Sequence, residues 1–273
     1  MCKVEDMYLL FDIGGTNTKI GLSIDGKSIV DSQITSTKED PQEFISKLKE
    51  TADLLSKTNS LKAAAFGIRG VLDENREILR QDRVLKNWAG KPLKQMFQEV
   101  LNVPVFLEND AAFSALGEAV YGPGAGFPIV GYIGIGTGIG GARVVNGKID
   151  AKAVGFEPGN QVITLDGEKW EDLVSGASFE KKYGKKPEDI HQQPIWDEAA
   201  KNLAIGLNNI SVLWSPNIII LGGGLMQKIS LEAIQQHLNG HLKVFPTTPK
   251  LALARYGQLS GLYGALEYIR QNI

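Results

Sequence analysis

The fold of this chain is decided by residues 129–148, IVGYIGIGTGIGGARVVNGK, and by a matching stretch at residues 8–28, YLLFDIGGTNTKIGLSIDGKS. Each stretch has the pattern of an apolar strand, a glycine-rich turn with one threonine, a second strand, and an Asp-Gly or Asn-Gly turn. Thr137 follows Thr16 by 121 positions (137 − 16 = 121). The Asn146-Gly147 turn follows the Asp25-Gly26 turn by the same offset. This spacing predicts an internal duplication of one structural unit.

The rest of the chain alternates apolar strands with amphipathic helices. Two similar lobes with a cleft between them are therefore expected, in an α/β fold. We predict a small N-terminal lobe of residues 1–113 plus 259–273 and a large C-terminal lobe of residues 114–258. Strands are predicted at Ser28–Val30, Ala63–Ile68, Val103–Leu107 and Asn217–Leu221, and helices at Pro41–Ser56, Ala111–Val120, Trp196–Leu213 and Leu259–Ile273.

The composition argues against several classes of partner. A formal net charge of −2 gives no electrostatic reason to expect nucleic acid or a membrane surface. The apolar runs Ile129–Ile135 and Ile218–Leu225 are too short to cross a bilayer. The single cysteine, Cys2, excludes an internal disulfide and is poor material for a zinc site. We therefore expect a cytoplasmic protein.

Two formal motif matches do not carry the chemistry that their patterns suggest. Gly21–Ser28 fits the Walker A pattern, and Gly136–Gly141 fits the dinucleotide-binding pattern Gly-x-Gly-x-x-Gly. Both motifs need a helix directly after the loop, so that its N-terminus faces the phosphates. Each segment here continues into a strand instead, which argues against a P-loop and against a nicotinamide enzyme.

The two glycine-rich turns are candidate phosphate sites. In Gly14-Gly15-Thr16 and Gly136-Thr137-Gly138, successive amide N–H groups can converge on an anion, and each threonine adds a hydroxyl donor. Asp12 would repel phosphates there unless a Mg²⁺ ion lay between them. The alternative is that both are only tight turns, with Asp12 closing the first by a side-chain hydrogen bond.

Asp110 is the candidate catalytic residue. It follows a buried strand and precedes a helix, so it can cap that helix. At the mouth of a cleft between lobes it can instead take a proton from a hydroxyl that attacks phosphorus. The neighbouring Asn109 offers both a donor and an acceptor, which suits a sugar hydroxyl.

At these residues the chain resembles the ROK family of bacterial sugar kinases and repressors, within the actin-like/ribonuclease H-like ATPase fold of actin, hexokinase and Hsp70. The resemblance runs along nearly the whole chain, and each motif is weak alone but specific in this order and spacing. The motifs are Asp12-Ile13-Gly14-Gly15-Thr16, Glu108-Asn109-Asp110, Gly134–Gly141, Glu171–Gly176 and Ile220–Gly224.

The resemblance implies a role for each candidate residue. Asp110 is implied as the general base toward the 6-hydroxyl of a sugar, with Asn109 binding that sugar. Asp12 is implied as the carboxylate linked to Mg²⁺ through water. The two turns are implied to hold the phosphates of ATP, and Gly222-Gly223-Gly224 resembles the loop under the adenosine. The sugar hydroxyls are implied to bind Glu157 and Glu171.

The chain departs from the family pattern in three places. The family's Glu-x-Gly-His motif is here Glu157-Pro158-Gly159-Asn160, and the cysteine cluster that completes the family's zinc site is absent, so no zinc is expected. Asn160 can still hydrogen-bond the sugar. Arg69 replaces a proline that is usual in a Gly-x-Pro-Gly turn, where it could reach an anionic or larger substrate or cover the loop.

The function implied is an ATP-dependent hexose kinase, most simply for glucose. Kinases for N-acetylhexosamine, fructose or glucosides, or a kinase that uses polyphosphate as donor, stay open as alternatives. A sugar-sensing regulator is less favoured, because eleven residues before Asp12 are too few for the helix-turn-helix that the family's repressors carry. A homodimer is usual in the family.

Overall fold

A computed structural model describes residues 6–55 and 60–273, and the predictions for Cys2 and Ser56 lie outside this range. The chain divides into two compact units. Unit 1 contains the described residues up to Gly117, together with Ala151–Gly155 and Leu259–Ile273. Unit 2 contains Glu118–Asp150 and Phe156–Gln258.

The sheet of unit 1 has the strand order β3-β2-β1-β4-β7. The first three strands are antiparallel neighbours, while β4 and β7 run parallel to β1. A short separate hairpin is formed by β5 and β6. The strands are β1 Asp6–Ile13, β2 Asn17–Ser23, β3 Asp31–Ser36, β4 Ser60–Ile68, β5 Val71–Leu72, β6 Leu79–Gln81 and β7 Val105–Asn109.

The sheet of unit 2 has the order β10-β9-β8-β11-β12 and repeats this plan. An antiparallel meander is again followed by two parallel strands. The strands are β8 Ile129–Ile135, β9 Ile139–Val145, β10 Lys148–Ile149, β11 Ile218–Gly222 and β12 Lys250–Leu253. The matching strand orders confirm the predicted α/β fold of two similar lobes.

The helices cover the sheets with their apolar sides. They are α1 Pro41–Leu55, α2 Leu93–Leu101, α3 Asp110–Val120, α4 Trp170–Leu173, α5 Gly176–Tyr183, α6 Gln193–Trp214, α7 Leu231–His241 and α8 Ser260–Asn272. None of the helices in residues 6–55 and 60–273 is long and apolar enough to cross a membrane.

Aromatic stacking anchors the core of unit 1. Phe66 on β4 stacks on Phe11 of β1 at 4.4 Å between ring centroids, and on Phe97 of α2 at 4.3 Å. Stacked rings bury large apolar surfaces in a favourable geometry. This packing joins α2 to the sheet.

Helix α8 packs closely in unit 1, far along the chain from the strands it covers. A Cβ added at Gly264 would overlap the carbonyl oxygen of Phe113 in α3. A Cβ at Gly261 would lie 3.1 Å from the carboxylate carbon of Asp12. The small residues of α8 therefore allow its backbone to lie directly against α3 and behind Asp12.

The predicted strand at Ser28–Val30 is wrong, because β3 begins only at Asp31. The carboxylate of Asp25 accepts hydrogen bonds from the amides of Lys27 and Ser28, both at 2.8 Å. An aspartate that binds the backbone two and three residues ahead holds a turn. The turn therefore extends through Ser28, and the returning strand starts later.

Candidate active site

The candidate residues of unit 1 meet at one edge of its sheet. Strands β1, β4 and β7 are parallel neighbours, and Ile68 pairs with Ile13 on one side and with Asn109 on the other. The carboxyl ends of all three strands therefore lie side by side. The first glycine turn follows β1, and Asp110 follows β7.

The first glycine turn keeps several donors free of protein partners. The amide of Gly14 donates to the Asn17 carbonyl at 3.0 Å, and Thr37 binds the turn's carbonyls through its amide and hydroxyl. Within residues 6–55 and 60–273, the amides of Gly15 and Thr16 and the Thr16 hydroxyl have no hydrogen-bond partner. These convergent donors suit an anion.

The second glycine turn, in unit 2, is held by different contacts from the first turn, but it too presents hydrogen-bond donors that could bind an anion. The carbonyls of Gly136 and Thr137 accept hydrogen bonds from the amides of Gly176 and Ala177 at 2.7 and 3.1 Å. The N-terminus of α5, capped by Ser175, therefore supports the turn from behind. Among the described residues, the amides of Thr137 and Gly138 and the Thr137 hydroxyl have no partner.

Asp12 and Asp110 form a pair of interacting carboxylates. Asp12 is buried and forms an ion pair with Lys19, its cross-strand partner on β2, at 2.6 Å between Nζ and Oδ2. The pKa of Asp110 is raised to about 7, first by burial and then by the negative charge of Asp12. The Ala111 amide, Arg69 and Lys19 oppose this rise. Asp110 can therefore exchange a proton near neutral pH.

Asn109 is the residue that caps α3. Its side-chain oxygen accepts hydrogen bonds from the amides of Ala111 at 3.0 Å and Ala112 at 3.1 Å. Asp110 is the first residue of α3 and accepts from the Ala111 amide at 2.8 Å, so Asn109 rather than Asp110 holds the cap position. Its amide nitrogen donates to the Gly70 carbonyl at 3.2 Å. One N–H of Asn109 therefore remains for a ligand.

The candidate sugar-binding residues of unit 2 gather near the start of β9. Asn160 donates to Glu157 at 3.2 Å and accepts a 2.7 Å hydrogen bond from the Lys169 amine. Glu171 accepts a 3.4 Å hydrogen bond from the Ile139 amide, directly after the second turn. Since a Cβ at Gly159 would overlap the Ile139 carbonyl, the Glu157–Asn160 segment is held against the same strand.

The candidate adenosine loop lies beside the second turn. Gly222 pairs with Gly134, so the loop leaves β11 next to the end of β8. Gly223 has a φ of 89°, and a Cβ there would overlap the Ile135 carbonyl oxygen. Glycine is required at this position because both the conformation and the space exclude a side chain.

Three residues of the site were not predicted from the sequence: Lys19, Asp82 and Lys169. Lys19 could have been found, since the turn's length sets which residue lies opposite Asp12 in the hairpin. Asp82 binds Arg69 at 2.9 Å, and Lys169 binds Asn160. These two contacts join loops whose paths have no local sequence signal.

The carboxylates of the candidate site suit a hard cation that is coordinated mainly by water and phosphate oxygens. Asp12 and Asp110 offer carboxylate oxygens, which Mg²⁺ prefers. Lys19 contacts one oxygen of Asp12, and the other has no protein partner among the described residues. Within that part of the chain, no group of three or more His, Cys, Asp or Glu side chains could hold a metal alone. Water and phosphate oxygens would have to complete the coordination.

Comparisons with known proteins match this arrangement to one family. The model of the ROK family matches residues 8–272. The N-acetyl-D-glucosamine kinase of Escherichia coli O9:H4 (strain HS) is 27% identical over 95% of this chain and 98% of its own length. The xylose repressor of Bacillus spizizenii is 30% identical over 66% of this chain, which spans 52% of the repressor.

A solved structure shows the same fold. The ROK hexokinase of Thermus thermophilus superposes with a TM-score of 0.83 at 25% identity. The match covers 97% of this chain and 99% of the hexokinase. The similarity therefore includes both units rather than one of them.

Proposed function

The chain belongs to the ROK family, and from this premise we propose that it is an ATP-dependent kinase for the 6-hydroxyl of a hexose, most simply glucose. The observation that carries the proposal is Asp110, a carboxylate with a pKa of about 7 at the sheet edge that also bears a turn of free amide donors. The similarity to proteins named as sugar kinases supports it.

Asp110 acts as the general base. At neutral pH a large fraction of Asp110 is deprotonated, and yet its proton affinity is high enough to receive the proton of an alcohol. As the hydroxyl oxygen forms its bond to phosphorus, its proton passes to the carboxylate of Asp110. Positioning and charge neutralisation supply the rest of the catalysis, since phosphoryl transfer needs little covalent chemistry from the protein.

The glycine turns hold the phosphates of ATP. The free amides and threonine hydroxyls of Gly14-Gly15-Thr16 and Gly136-Thr137-Gly138 donate to phosphate oxygens. Mg²⁺, when bound with ATP, neutralises phosphate charge. Asp12 would hold that ion through water with its free oxygen, and Gly222-Gly223-Gly224 leaves room for the adenosine.

The sugar is oriented by polar side chains. Glu157 and Glu171 are carboxylates and accept hydrogen bonds from sugar hydroxyls. Asn160 is held by Lys169, so its amide stays in a fixed orientation beside Glu157. Asn109 contributes its remaining N–H.

A second candidate within the same class is an N-acetylhexosamine kinase, which the 27% identity to the Escherichia coli enzyme favours. A coupled assay of ADP release over a panel of sugars separates these candidates. The panel contains glucose, N-acetylglucosamine, N-acetylmannosamine, fructose and a β-glucoside, and polyphosphate replaces ATP in a parallel series. We expect magnesium-dependent turnover with at least one of these sugars.

Asp110→Asn tests the mechanism. The variant should lose activity by at least about a hundredfold, because general-base contributions are typically 10²–10⁴-fold. The matched control is Asp31→Asn, which makes the same chemical change at an exposed residue of β3. Wild-type activity in Asp110→Asn would rule out Asp110 as the base. Tight sugar binding by calorimetry without turnover would favour a regulator instead.

A further inference from the structure

Arg69 lies between the first glycine turn and Asp110. It directly follows β4, the strand between β1 and β7, and its amide donates to the Ile13 carbonyl at 3.3 Å. Three functional groups therefore follow three neighbouring strand ends in order. They are the free amides after β1, a guanidinium after β4 and the carboxylate of Asp110 after β7.

The Arg69 side chain is fixed at one end. Its Nε donates to Asp82 at 2.9 Å, and the Asp82 side chain is only 5% exposed. Burial alone would raise the pKa of Asp82, but hydrogen bonds from the Leu85 amide, Arg69 and the Val84 amide outweigh it and lower the pKa. Asp82 therefore stays ionised and holds the guanidinium in place.

The other end of the guanidinium has no protein partner. Among the described residues, neither Nη1 nor Nη2 of Arg69 has a hydrogen-bond acceptor, and the side chain is 29% exposed. A Cβ built at Gly15 would lie 2.8 Å from Nη1, so these amino groups stand directly against the turn. A fixed guanidinium with two free amino groups matches the geometry of two oxygens on one phosphorus.

We propose that Arg69 forms a subsite for the phosphoryl group in transfer, with Nη1 and Nη2 donating to its non-bridging oxygens. The proposal rests on the proposed kinase function. The bond from the sugar oxygen to phosphorus forms while the bond from phosphorus to the donor's bridging oxygen breaks, and its electron pair stays on that oxygen. The hydroxyl proton goes to Asp110, and Arg69 keeps its charge throughout.

The location favours this occupant over a permanent anion of the substrate. A carboxylate or phosphate belonging to the sugar would stand beside both Asp12 and Asp110, whose charges repel it. The phosphoryl group arrives with its cation and spreads charge over its equatorial oxygens in the transition state. A guanidinium between the phosphate turn and the base can stabilise that negative charge.

The test compares Arg69→Met and Arg69→Lys with Arg80→Met, a matched control at an exposed position of β6. We expect Arg69→Met to lower kcat roughly 10³-fold, as removal of a transition-state arginine does, with the KM of the sugar changed less than about threefold. Arg69→Lys should recover only part of the loss, and guanidinium chloride should partly rescue Arg69→Met. Circular dichroism checks that each variant is folded.

Two kinetic outcomes overturn the inference while leaving the kinase function intact. One is a kcat of Arg69→Met within about threefold of wild type. The other is evidence that Arg69 binds an anion of the substrate, given either by a change confined to the KM of the sugar or by turnover of sugar acids or sugar phosphates alone.

A binding measurement decides the inference even if no sugar in the panel is phosphorylated. Inorganic pyrophosphate is titrated calorimetrically into the sugar-free protein with and without MgCl₂. Wild type and Arg80→Met should bind it, and Arg69→Met should bind at least about tenfold more weakly, the loss of one charge-assisted contact. Equal affinity in all three proteins would overturn the subsite.

Discussion

The proton affinity of Asp110 results from opposing influences on one side chain. Burial and Asp12 raise its pKa, whereas the Ala111 amide, Arg69 and Lys19 lower it, and the outcome is about 7. The two cations that lower this pKa are Arg69, directly after β4, and Lys19 on β2. Of these two strands, only β4 pairs with β7. The base is therefore adjusted by residues that do not themselves exchange a proton.

The pH dependence of catalysis should follow Asp110. Because only the deprotonated carboxylate accepts a proton, kcat/KM should rise with pH, level off above about 7, and fall about tenfold per unit below it. Lys19→Met should move the profile to higher pH, because the Lys19 charge lowers this pKa. Rates measured from pH 5.5 to 8.5 check both, with the exposed Lys27→Met as control. A profile flat below pH 7 would contradict the assignment.

Asp110 should also make the folded protein less stable at high pH. Its pKa in the folded protein is raised above the ordinary value of 3.8, so its stabilising effect is present at low pH and is lost as the pH rises toward 7. Between pH 5 and 8 the stability difference should move in favour of Asp110→Asn by about 3 kcal/mol. Urea unfolding at both pH values measures it. Asp31→Asn should show no such change, and equal differences at both pH values for Asp110→Asn would refute the raised pKa.

At the scale of elements, the two glycine hairpins have the same form but different registers. Residues 14–17 separate Ile13 from its partner Thr18, whereas residues 136–138 separate Ile135 from Ile139. The constant sequence offset therefore predicts both hairpins but not their pairing. The second turn is one residue shorter, and the N-terminus of α5 supports it from behind.

Much of the fold and the candidate site could be predicted because their signals are local. Apolar strands, glycine turns and helix periodicity placed β8 at its observed bounds and both turns between paired strands. The cap of α3 by Asn109 was missed, because Asn and Asp are equally good caps and only the strand's end decides between them. The Lys169–Asn160 contact depends on the path of a loop, which has no periodicity to read.

Gly223→Ala should damage the loop after β11. The substitution combines a positive φ with overlap against the Ile135 carbonyl, so we expect a loss of about 2–4 kcal/mol in unfolding free energy. The KM for ATP should rise at least about tenfold, because the displaced loop lies beside the second turn. Gly240→Ala in α7, where nothing lies within 4 Å, is the control and should be as stable as wild type or more so. An unchanged KM for ATP would separate this loop from nucleotide binding.

At the scale of the whole molecule, Ala151–Gly155 connects two stretches of unit 2 but belongs to unit 1. Lys152 of this segment pairs with Glu108 at 2.8 Å, and their side chains are 5% and 4% exposed. Arg76 donates to the carbonyls of Lys152 and Ala153 at 3.2 and 3.1 Å. The segment is therefore attached to β7, the strand that directly precedes Asp110.

Lys152→Met should reveal the strength of this attachment. Removing one partner leaves the buried Glu108 with Arg76 at 3.6 Å as its remaining cation, so we expect a loss of about 2–4 kcal/mol. The double variant Glu108→Gln/Lys152→Met should lose less than the sum of the two single variants, since neither charge is then left unpaired. Chemical unfolding of the four proteins measures the coupling. Additive losses would mean that the ion pair contributes nothing.

The close packing of α8 has a consequence for protein synthesis. Because this helix lies against α3 and behind Asp12, the domain that begins the chain cannot finish folding until the segment from Leu259 onward has been translated. The first strands of the chain therefore depend for their cover on the segment translated after all of unit 2, and a chain cut before Leu259 would leave that face of the sheet open to water.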